Sequence, residues 1–368
     1  MKPAAYFLCA LALALIAISP FLILSFYEKP AEPEQYSGIL TLWHISGWRT
    51  GGSSAAAFLE KRIVRYEAQN PRVFIELECL SGDEAAAAFA DGIKPDIISY
   101  PYGFDVKPDL AQLPPAASLP FSPRTAYPYL YGGYCIIINT DMLGERGVDV
   151  YEGWGIRPER LLEAAKLGVC FDSEDGCTSL PALAAHAYPP AGRPSISAFG
   201  EPEPPNAALS MAGAWEDGLD IFLRGEAAVL IASHRQLFEV QQKYERGEAP
   251  GFKAYAAGGY TDMIQMISVC ADENEQKQEA AKRFASLLLE NGAQRGLDAL
   301  GVFPAVAGVD IYNDDETRKA MYTLLSENAM LGEPRDIESL ISLATQAFSG
   351  NEKALKLLRI RLSSPAKG

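Results

Sequence analysis

The segment GILTLWHISGWRT, from Gly38 to Thr50, sets the interpretation of the whole chain. It contains ILTLWHI, a nearly continuous apolar run that is typical of a strand covered on both faces of a sheet. Trp43, His44 and Trp48 follow one another within six positions. These aromatic side chains either fill a core or mark a strand end at which a ligand binds.

Downstream of this run, apolar strands alternate with helical patterns. A Gly/Ser loop comes first, and Ser53 or Ser54 is placed to cap a helix that ends before Asn70. The runs VFIELECL and PDIISY predict two more strands, and GDEAAAAFADG between them predicts a second helix. This order of elements predicts right-handed crossovers and a parallel sheet.

The second half of the chain is less regular. Residues 101–131 hold seven prolines and predict a loop, whereas YCIIINTDML predicts a strand. The Pro-rich residues 189–205 predict no regular structure. The segment AAVLIA predicts a strand followed by a helix, and the last sixty residues have a helical pattern.

Composition excludes some classes of partner. The 368 residues carry a formal net charge of −15 and include no cluster of Lys and Arg. Phosphate neutralisation needs such a cluster, so nucleic acid is not expected as a partner.

The N-terminal segment differs in kind from the rest. Residues 3–27 contain no charged side chain, and as a helix they would be roughly 37 Å long, enough to cross a membrane. Lys2 precedes them and an acidic stretch follows, an arrangement that places the remainder of the chain outside the cytosol. We therefore expect residues 1–29 to be a signal anchor or a cleaved signal peptide, and residues 30–37 to be a linker.

The spacing of the cysteine and histidine residues does not match a metal-binding motif. The chain has no CxxC pair and its three histidines lie far apart, so neither a metal nor another cofactor is expected. Cys170 and Cys177 have a spacing that suits a disulfide outside the cytosol, and two unrelated thiols are an equal alternative.

Aromatic and polar side chains recur where the predicted strands end. Rings combined with hydroxyl, imidazole and guanidinium groups can stack on sugar faces and bond their hydroxyls. A core position for Trp43, and a solvated strand end for Tyr100, are the alternatives. The candidate ligand-binding residues from this pattern are Trp43, His44, Trp48, Tyr100, Tyr102, Ser233, His234, Arg235 and Tyr260.

An ordered set of segments resembles a known family. GILTLWHISGW, GIKPDIISY, INTDMLGERGVDV, DIFLRGEAAVLIAS and GGYTDMIQMISVCADENEQKQEAAKRFASLLLENGAQRGLDALGVFPAV occur in the order expected. Together they look like the extracellular solute-binding proteins of bacterial ABC importers, the group that includes maltose-binding protein. The resemblance covers most of the chain from Gly38 to about Val306.

The resemblance implies a periplasmic-binding-protein-like α/β fold with two lobes joined by a hinge, preceded by one N-terminal hydrophobic helix. It places residues 38–133 plus 252–304 in lobe one, and residues 134–251 plus 305–368 in lobe two. It adds Trp215 and Gly259 to the candidate cleft residues. It also implies a small sugar-like solute, ABC permease subunits as partners, and a location on the extracellular face of the membrane.

The mechanism expected from these features is lobe closure on a solute that Trp43 and one or more tyrosines stack against. Affinity would come from dispersion and from charge-neutral hydrogen bonds. On this view Trp43→Ala abolishes binding and leaves the fold largely intact, whereas loss of cooperative unfolding would favour a core position.

Two other functions are compatible with the sequence. One is a glycosidase that uses two carboxylates, with Asp96, Asp141 and Glu226 near strand ends. None of the three lies in a recognisable catalytic motif, so we expect the protein not to be an enzyme. The other is a membrane-anchored sensor or scaffold that keeps the binding-protein fold.

Overall fold

The computed structural model describes residues 36–116, 123–145, 151–152, 155–156, 169–171, 218–257, 259–309, 311–312, 314–328, 330–331, 337–348 and 351–363. The chain divides into two compact units, Met1–Ser37 and Gly38–Gly368, and the described strands and helices belong to the second. None of the described helices is long and apolar enough to cross a membrane. The hydrophobic helix predicted at residues 3–27 lies outside the described residues.

The strands of the described residues are, in chain order, β1 (Gly38–Ile45), β2 (Val73–Leu80), β3 (Ile97–Pro101), β4 (Ala126–Tyr131), β5 (Tyr134–Asn139), β6 (Tyr151–Glu152), β7 (Gly155–Ile156), β8 (Val169–Phe171), β9 (Val229–Ser233), β10 (Phe252–Ala256), β11 (Tyr260–Thr261), β12 (Ile264–Val269), β13 (Phe303–Pro304) and β14 (Met330–Leu331).

The helices are α1 (Ala55–Gln69), α2 (Gly82–Ala90), α3 (Thr140–Glu145), α4 (Gly218–Leu223), α5 (His234–Glu245), α6 (Glu275–Leu287), α7 (Asn291–Gln294), α8 (Glu316–Asn328), α9 (Ile337–Phe348) and α10 (Glu352–Ser363), with a 3-10 helix at Arg295–Leu300.

The helix starts follow the expected capping chemistry. The Ser54 hydroxyl accepts a hydrogen bond from the Ala57 backbone N–H at 3.1 Å, which satisfies one of the free donors of α1. Ser81 and Glu84 form a reciprocal capping box at the start of α2. The prediction that Ser53 or Ser54 caps the first helix is confirmed, and the helix ends at Gln69, beside Asn70.

Two sheets organise the described chain. The first sheet has the order β13-β4-β12-β3-β1-β2, and β1 pairs in parallel with both β2 and β3. The second sheet has the order β10-β5-β9-β8, in which β8 and β9 are parallel and the other pairs are antiparallel. The parallel strand–helix–strand–helix–strand unit predicted at the start of the chain is therefore confirmed.

The first sheet is covered on both faces, which explains the continuous apolar run in β1. Helices α1 and α6 cover one face, where Tyr66 and Phe284 pack edge to face at 5.5 Å. Because side chains alternate along a strand, Trp43 points to the other face and packs against Phe89 of α2, with ring centroids 5.5 Å apart. Trp43 is 5% exposed and lies in the core.

Strand β4 corrects the loop predicted for residues 101–131. All six residues of β4 are buried, and four of them are Tyr or Leu. Pro128 lies in the middle of the strand. The pairing of β4 with β12 shifts between Gln265 and Met266, next to the position where Pro128 lies opposite Met266. A bulge at this point accommodates the missing proline N–H, so the proline content of the segment was misleading.

Strand β10 belongs to the second sheet. Phe252 to Ala256 pair antiparallel with Asn139 to Cys135 in that sheet. The resemblance places residues 252–256 in lobe one, and the lobe boundaries stay a prediction. Only six residues separate the end of α5 from β10, so the chain rejoins the sheet against which α5 packs. It returns to the first sheet later, between Ala257 and Ile264.

Candidate functional site

The carboxyl ends of two strands, one from each sheet, meet at one place. The loop that follows β1 contacts the start of α5, which follows β9 directly. In this contact the rings of Trp48 and His234 lie 5.4 Å apart at 89°. Ligands of open α/β sheets bind beyond the carboxyl ends of strands, which makes this junction the candidate site.

A glycine pair carries the chain past this junction from β4 to β5. The Gly132 N–H donates to the Met263 carbonyl at 2.7 Å, and the His234 N–H donates to the Gly133 carbonyl at 2.7 Å. A Cβ atom on Gly132 would lie 2.7 Å from both His234 Cε1 and Met263 Cβ. Glycine is therefore required here because the backbone and the imidazole approach too closely for any side chain.

His234 is held neutral at this junction. Its side chain is fully buried, and burial lowers its pKa to about 3. The Gly133 N–H donates to its Nδ1 at 3.3 Å, so Nε2 carries the ring proton. No described residue accepts a hydrogen bond from His234 Nε2 or from the buried Nε1 of Trp48.

Buried polar groups without partners are uncommon in folded proteins. The hydroxyl of Tyr131, the residue before the glycine pair, is a third such group among the described residues. Three polar groups at or next to the strand-end junction thus keep unused hydrogen-bonding capacity, a property suited to a polar solute.

Two crossing segments, residues 132–134 and 257–263, carry the chain between the two sheets, and further hydrogen bonds join them. The Tyr134 hydroxyl donates to Asp262 Oδ1 at 2.8 Å, and the Thr261 hydroxyl donates to the Gly132 carbonyl at 2.9 Å. The rings of Tyr134 and Tyr260 lie 6.0 Å apart. These contacts fix the position of the backbone where it passes from one sheet to the other.

A cavity of about 310 Å³ opens beside the Trp48–His234 contact. One wall is the loop after β1, and the other wall is one face of α5. The lining residues are Arg49, Thr50, Gly51, Arg235, Phe238, Glu239, Gln242, Lys243 and Arg246.

The loop wall of the cavity is anchored to the 3-10 helix. The N–H groups of Gly51 and Gly52 both donate to the Leu300 carbonyl, at 2.8 and 3.1 Å. A Cβ on Gly52 would lie 2.5 Å from the Ala299 carbonyl oxygen and 3.0 Å from Phe238. The glycines therefore let the loop lie flat between the 3-10 helix and α5.

The structure brings several predicted site residues to this junction. Trp48 and His234 form the contact, and Arg235 lines the cavity. Ser233 is the N-cap residue of α5, and its hydroxyl donates to the Gln236 side-chain oxygen at 2.9 Å. Tyr260 lies beside Tyr134 in the adjacent crossing segment.

Other predicted site residues lie elsewhere. Trp43 packs in the core against α2. His44 hydrogen-bonds Ser99 Oγ at 3.0 Å on the opposite face, and burial lowers its pKa to about 4. The Tyr100 hydroxyl hydrogen-bonds Ser268 at 2.9 Å inside the first sheet.

The remaining predicted positions contribute less to the site. Tyr102 is half-buried and packs against the core, while its N–H donates to the Ile264 carbonyl at 2.8 Å. Gly259 is buried. Trp215 and Cys177 lie outside the described residues, so the disulfide from Cys170 to Cys177 stays a prediction.

The sequence reasoning missed most of the cavity lining. Arg49 directly follows Trp48, and the lining residues of α5 recur at intervals of three or four positions, which is one helix face. This helical spacing of Arg235, Lys243 and Arg246 was the available signal.

The carboxylates considered for catalysis are held in structural contacts. Asp96 accepts from the Thr41 N–H at 2.8 Å and pairs with Lys277 at 2.6 Å. Asp141 accepts from the Gly251 N–H at 2.7 Å, and Glu226 pairs with Arg224 at 2.9 Å.

Metal ligands and reactive thiols are not grouped in the described part of the chain. No set of three or more His, Cys, Asp or Glu side chains is placed there to hold a metal ion. Cys79, Cys135 and Cys270 are free thiols, and burial raises the pKa of Cys270 to about 12.

Comparison with known proteins supports the fold assignment. No family model matches the chain, and no curated protein sequence matches it. Among solved structures, a cyclic α-maltosyl-1,6-maltose binding protein from Arthrobacter globiformis matches with a TM-score of 0.60 at 14% identity, over 89% of this chain and 98% of that chain.

Two further structures match over the same shares of both chains, 89% and 98%. The apo form of RafE from Streptococcus pneumoniae has a TM-score of 0.57 at 14% identity. The ABC substrate-binding protein Lmo0181 from Listeria monocytogenes, solved with cycloalternan, has a TM-score of 0.55 at 17% identity. At such identities the likeness shows the fold, and it confirms the periplasmic-binding-protein-like α/β fold that the sequence predicted.

Proposed function

We propose that this chain, which has the fold of solute-binding proteins, is the solute-binding component of an ABC import system. Its solute is a saccharide, bound at the junction of the two sheets and presented to the permease subunits. Two of the similar structures are described as binding cyclic maltosyl-maltose or cycloalternan, and both ligands are saccharides. This likeness supports the proposal without assigning the ligand.

The contact between Trp48 and His234 is the observation that carries the proposal. It joins strand ends of both sheets and lies beside the cavity. An aromatic ring for a sugar face, combined with N–H donors for hydroxyl groups, is the chemistry that saccharide sites use.

We propose binding without catalysis. The similar solved structures are not described as enzymes in their names, and the three candidate carboxylates of this chain are held by backbone N–H groups or by basic side chains. A glycosidase needs two carboxylates facing one another across a substrate.

We also propose that residues 38–368 act on the extracellular face of the cytoplasmic membrane. The uncharged residues 3–27, with Lys2 before them and an acidic stretch after them, support export of the remainder of the chain. The N-terminal segment then either anchors the protein or is removed as a signal peptide.

A thermal-shift screen of the full-length protein tests the proposal, in a detergent that has no sugar headgroup. The panel contains neutral and acidic oligosaccharides, amino acids and polyols. A ligand present at about 100 times its Kd stabilises the folded state by about 2.7 kcal/mol, so the unfolding temperature rises measurably. We expect a saccharide to give the largest shift.

A matched pair of variants locates the site. Trp48→Phe keeps a ring but removes the Nε1 donor, so saccharide affinity falls. Trp43→Phe also replaces an indole by a phenyl ring, but at a core position, and should leave the saccharide affinity unchanged. A panel in which no saccharide shifts the unfolding temperature, or equal effects of the two variants, would contradict the proposal.

A further inference from the structure

The cavity beside the Trp48–His234 contact is rich in positive charge. Four of its nine lining residues are cations, namely Arg49, Arg235, Lys243 and Arg246, and one is a carboxylate, Glu239. This concentration occurs in a chain whose net charge is −15. The local sign is therefore the reverse of the overall sign.

Glu239 is placed between two of the cations. It lies 3.7 Å from Arg235 and 3.8 Å from Lys243, at spacings of four residues on either side along α5. One carboxylate shared by two cations offsets only part of their charge. Among the nine lining residues, cations therefore outnumber carboxylates by four to one.

Helix stability does not explain every one of these cations. Lys243 and Arg246 lie at the C-terminal end of α5, where a cation is favoured by the helix dipole. Arg235 lies in the first turn, where the dipole disfavours a cation, and no acidic residue accompanies it in that turn.

The positive field also reaches the buried junction. Burial is the main reason for the low pKa of His234, and the nearby charges of Arg318 and Arg235 lower it further. Arg318 also lies over the Phe238 ring, 5.6 Å from its centroid. Arg318 lies outside the cavity lining and pairs with Asp315 at 3.0 Å, which offsets much of its charge.

We infer that the solute is an anionic saccharide, whose carboxylate, sulfate or phosphate group lies between Arg49 of the loop and the cationic face of α5. This inference rests on the proposed function and specifies its substrate class. Guanidinium groups pair with such oxyanions through two parallel hydrogen bonds. It replaces the expectation that affinity comes from charge-neutral hydrogen bonds.

The anion also links the two walls of the cavity. Arg49 follows β1 of the first sheet, whereas Arg235, Lys243 and Arg246 belong to the helix on the second sheet. An oxyanion between them offsets the repulsion of like charges and so favours the arrangement in which loop and helix are close. Charge on the solute therefore contributes to holding the two walls together.

Calorimetric titration of the full-length protein with matched ligands tests this inference. The probes are trigalacturonate and its methyl ester, a maltooligosaccharide with and without a terminal phosphate, and a disaccharide with and without a sulfate. We expect one anionic member to bind at least tenfold more tightly than its neutral partner. Its affinity should fall several-fold between 50 and 500 mM salt.

Variants separate the cavity from general charge effects. Arg49→Gln and Arg246→Gln should each weaken the anionic ligand five- to tenfold, and should weaken its neutral partner much less. Arg72→Gln, at an exposed arginine before β2, should change neither.

The outcomes distinguish the two claims. Neutral saccharides that bind as tightly as anionic ones would overturn this inference and leave the proposed function standing. No binding by any saccharide of either kind would overturn the proposed function and the inference together. An equal loss in Arg72→Gln would show that the cavity cations are not the recognition site.

Discussion

The indole of Trp48 and the imidazole of His234 meet edge to face, with ring centroids 5.4 Å apart and an interplanar angle of 89°. Trp48 follows a strand of the first sheet and His234 follows a strand of the second. This single contact therefore couples the two sheets at the place where their strand ends converge.

A double-mutant cycle measures this coupling. Trp48→Ala and His234→Ala each lower the free energy of unfolding, and the double variant should lose about 0.5–1.5 kcal/mol less than the sum, because aromatic pairs contribute that much beyond their buried area. Urea unfolding gives the four values. The control cycle uses Tyr66→Ala and His234→Ala, whose losses in unfolding free energy should add. A coupling energy below about 0.3 kcal/mol between Trp48 and His234 would contradict the proposed contact.

Trp43→Ala should destabilise the protein without acting on the solute. Removal of a buried Trp side chain costs about 3–5 kcal/mol, since Trp43 packs against Phe89 in the core. Denaturant unfolding checks the loss, and Trp43→Phe should lose less. Calorimetry at a temperature where the variant is folded should give an unchanged saccharide affinity. A variant that loses saccharide binding but keeps its full stability would show that Trp43 contacts the solute.

Gly132→Ala should lower the free energy of unfolding because neighbouring side chains leave no room for a Cβ atom. The added Cβ would meet His234 Cε1 and Met263 Cβ at 2.7 Å, so we expect a loss of about 1–3 kcal/mol in unfolding free energy. Gly144→Ala is the matched control, since no atom lies within 4 Å of the added Cβ and the residue is in a helix. That variant should be neutral or more stable by up to about 1 kcal/mol. Equal stability of the two variants would contradict the close approach.

Lowering the pH should decrease the free energy of unfolding before most carboxylates become protonated. Burial lowers the pKa of His44 to about 4 and of His234 to about 3, whereas an unfolded histidine titrates near about 6.5. Below pH 6.5 the unfolded chain binds protons that the folded protein does not. The free energy of unfolding therefore falls toward acid, by up to about 1.4 kcal/mol per pH unit for each histidine, until the folded pKa is reached.

Urea unfolding at pH 7.5, 6.0 and 5.0 tests this pH dependence. The variant His44→Gln/His234→Gln should show a smaller slope with pH, whatever its absolute stability. A wild-type stability that is constant from pH 7.5 to 5.0 would show that the two imidazoles are not held neutral in the folded state.

Local patterns in the sequence were sufficient for the parallel unit at the start of the first sheet. The apolar run of β1, the cap at Ser54 and the helical spacing of α1 are all short-range signals, and each is present in the structure. Strand β4 escaped prediction because its proline is tolerated through a shifted pairing with β12, and Pro128 and its partner Met266 are far apart in the sequence.

The site was harder to predict for two physical reasons. Strand β1 is apolar on both faces, so alternation does not reveal that Trp43 points into the core. The cavity brings Arg49 together with Arg246, and their proximity depends on how the loop after β1 packs against α5. Residue type and strand-end position indicated Trp48 and His234, but spacing along one helix was needed to find the cations.

Hydrogen–deuterium exchange of the full-length protein tests the central claim most directly, with and without the saccharide that gives the largest thermal shift. A solute between the two sheets predicts slower exchange in residues 46–54 and in α5. Helix α6, on the distant face of the first sheet, is the internal control and should be unchanged. Protection confined to other segments, or no protection at any ligand concentration, would contradict a saccharide site at the junction of Trp48 and His234.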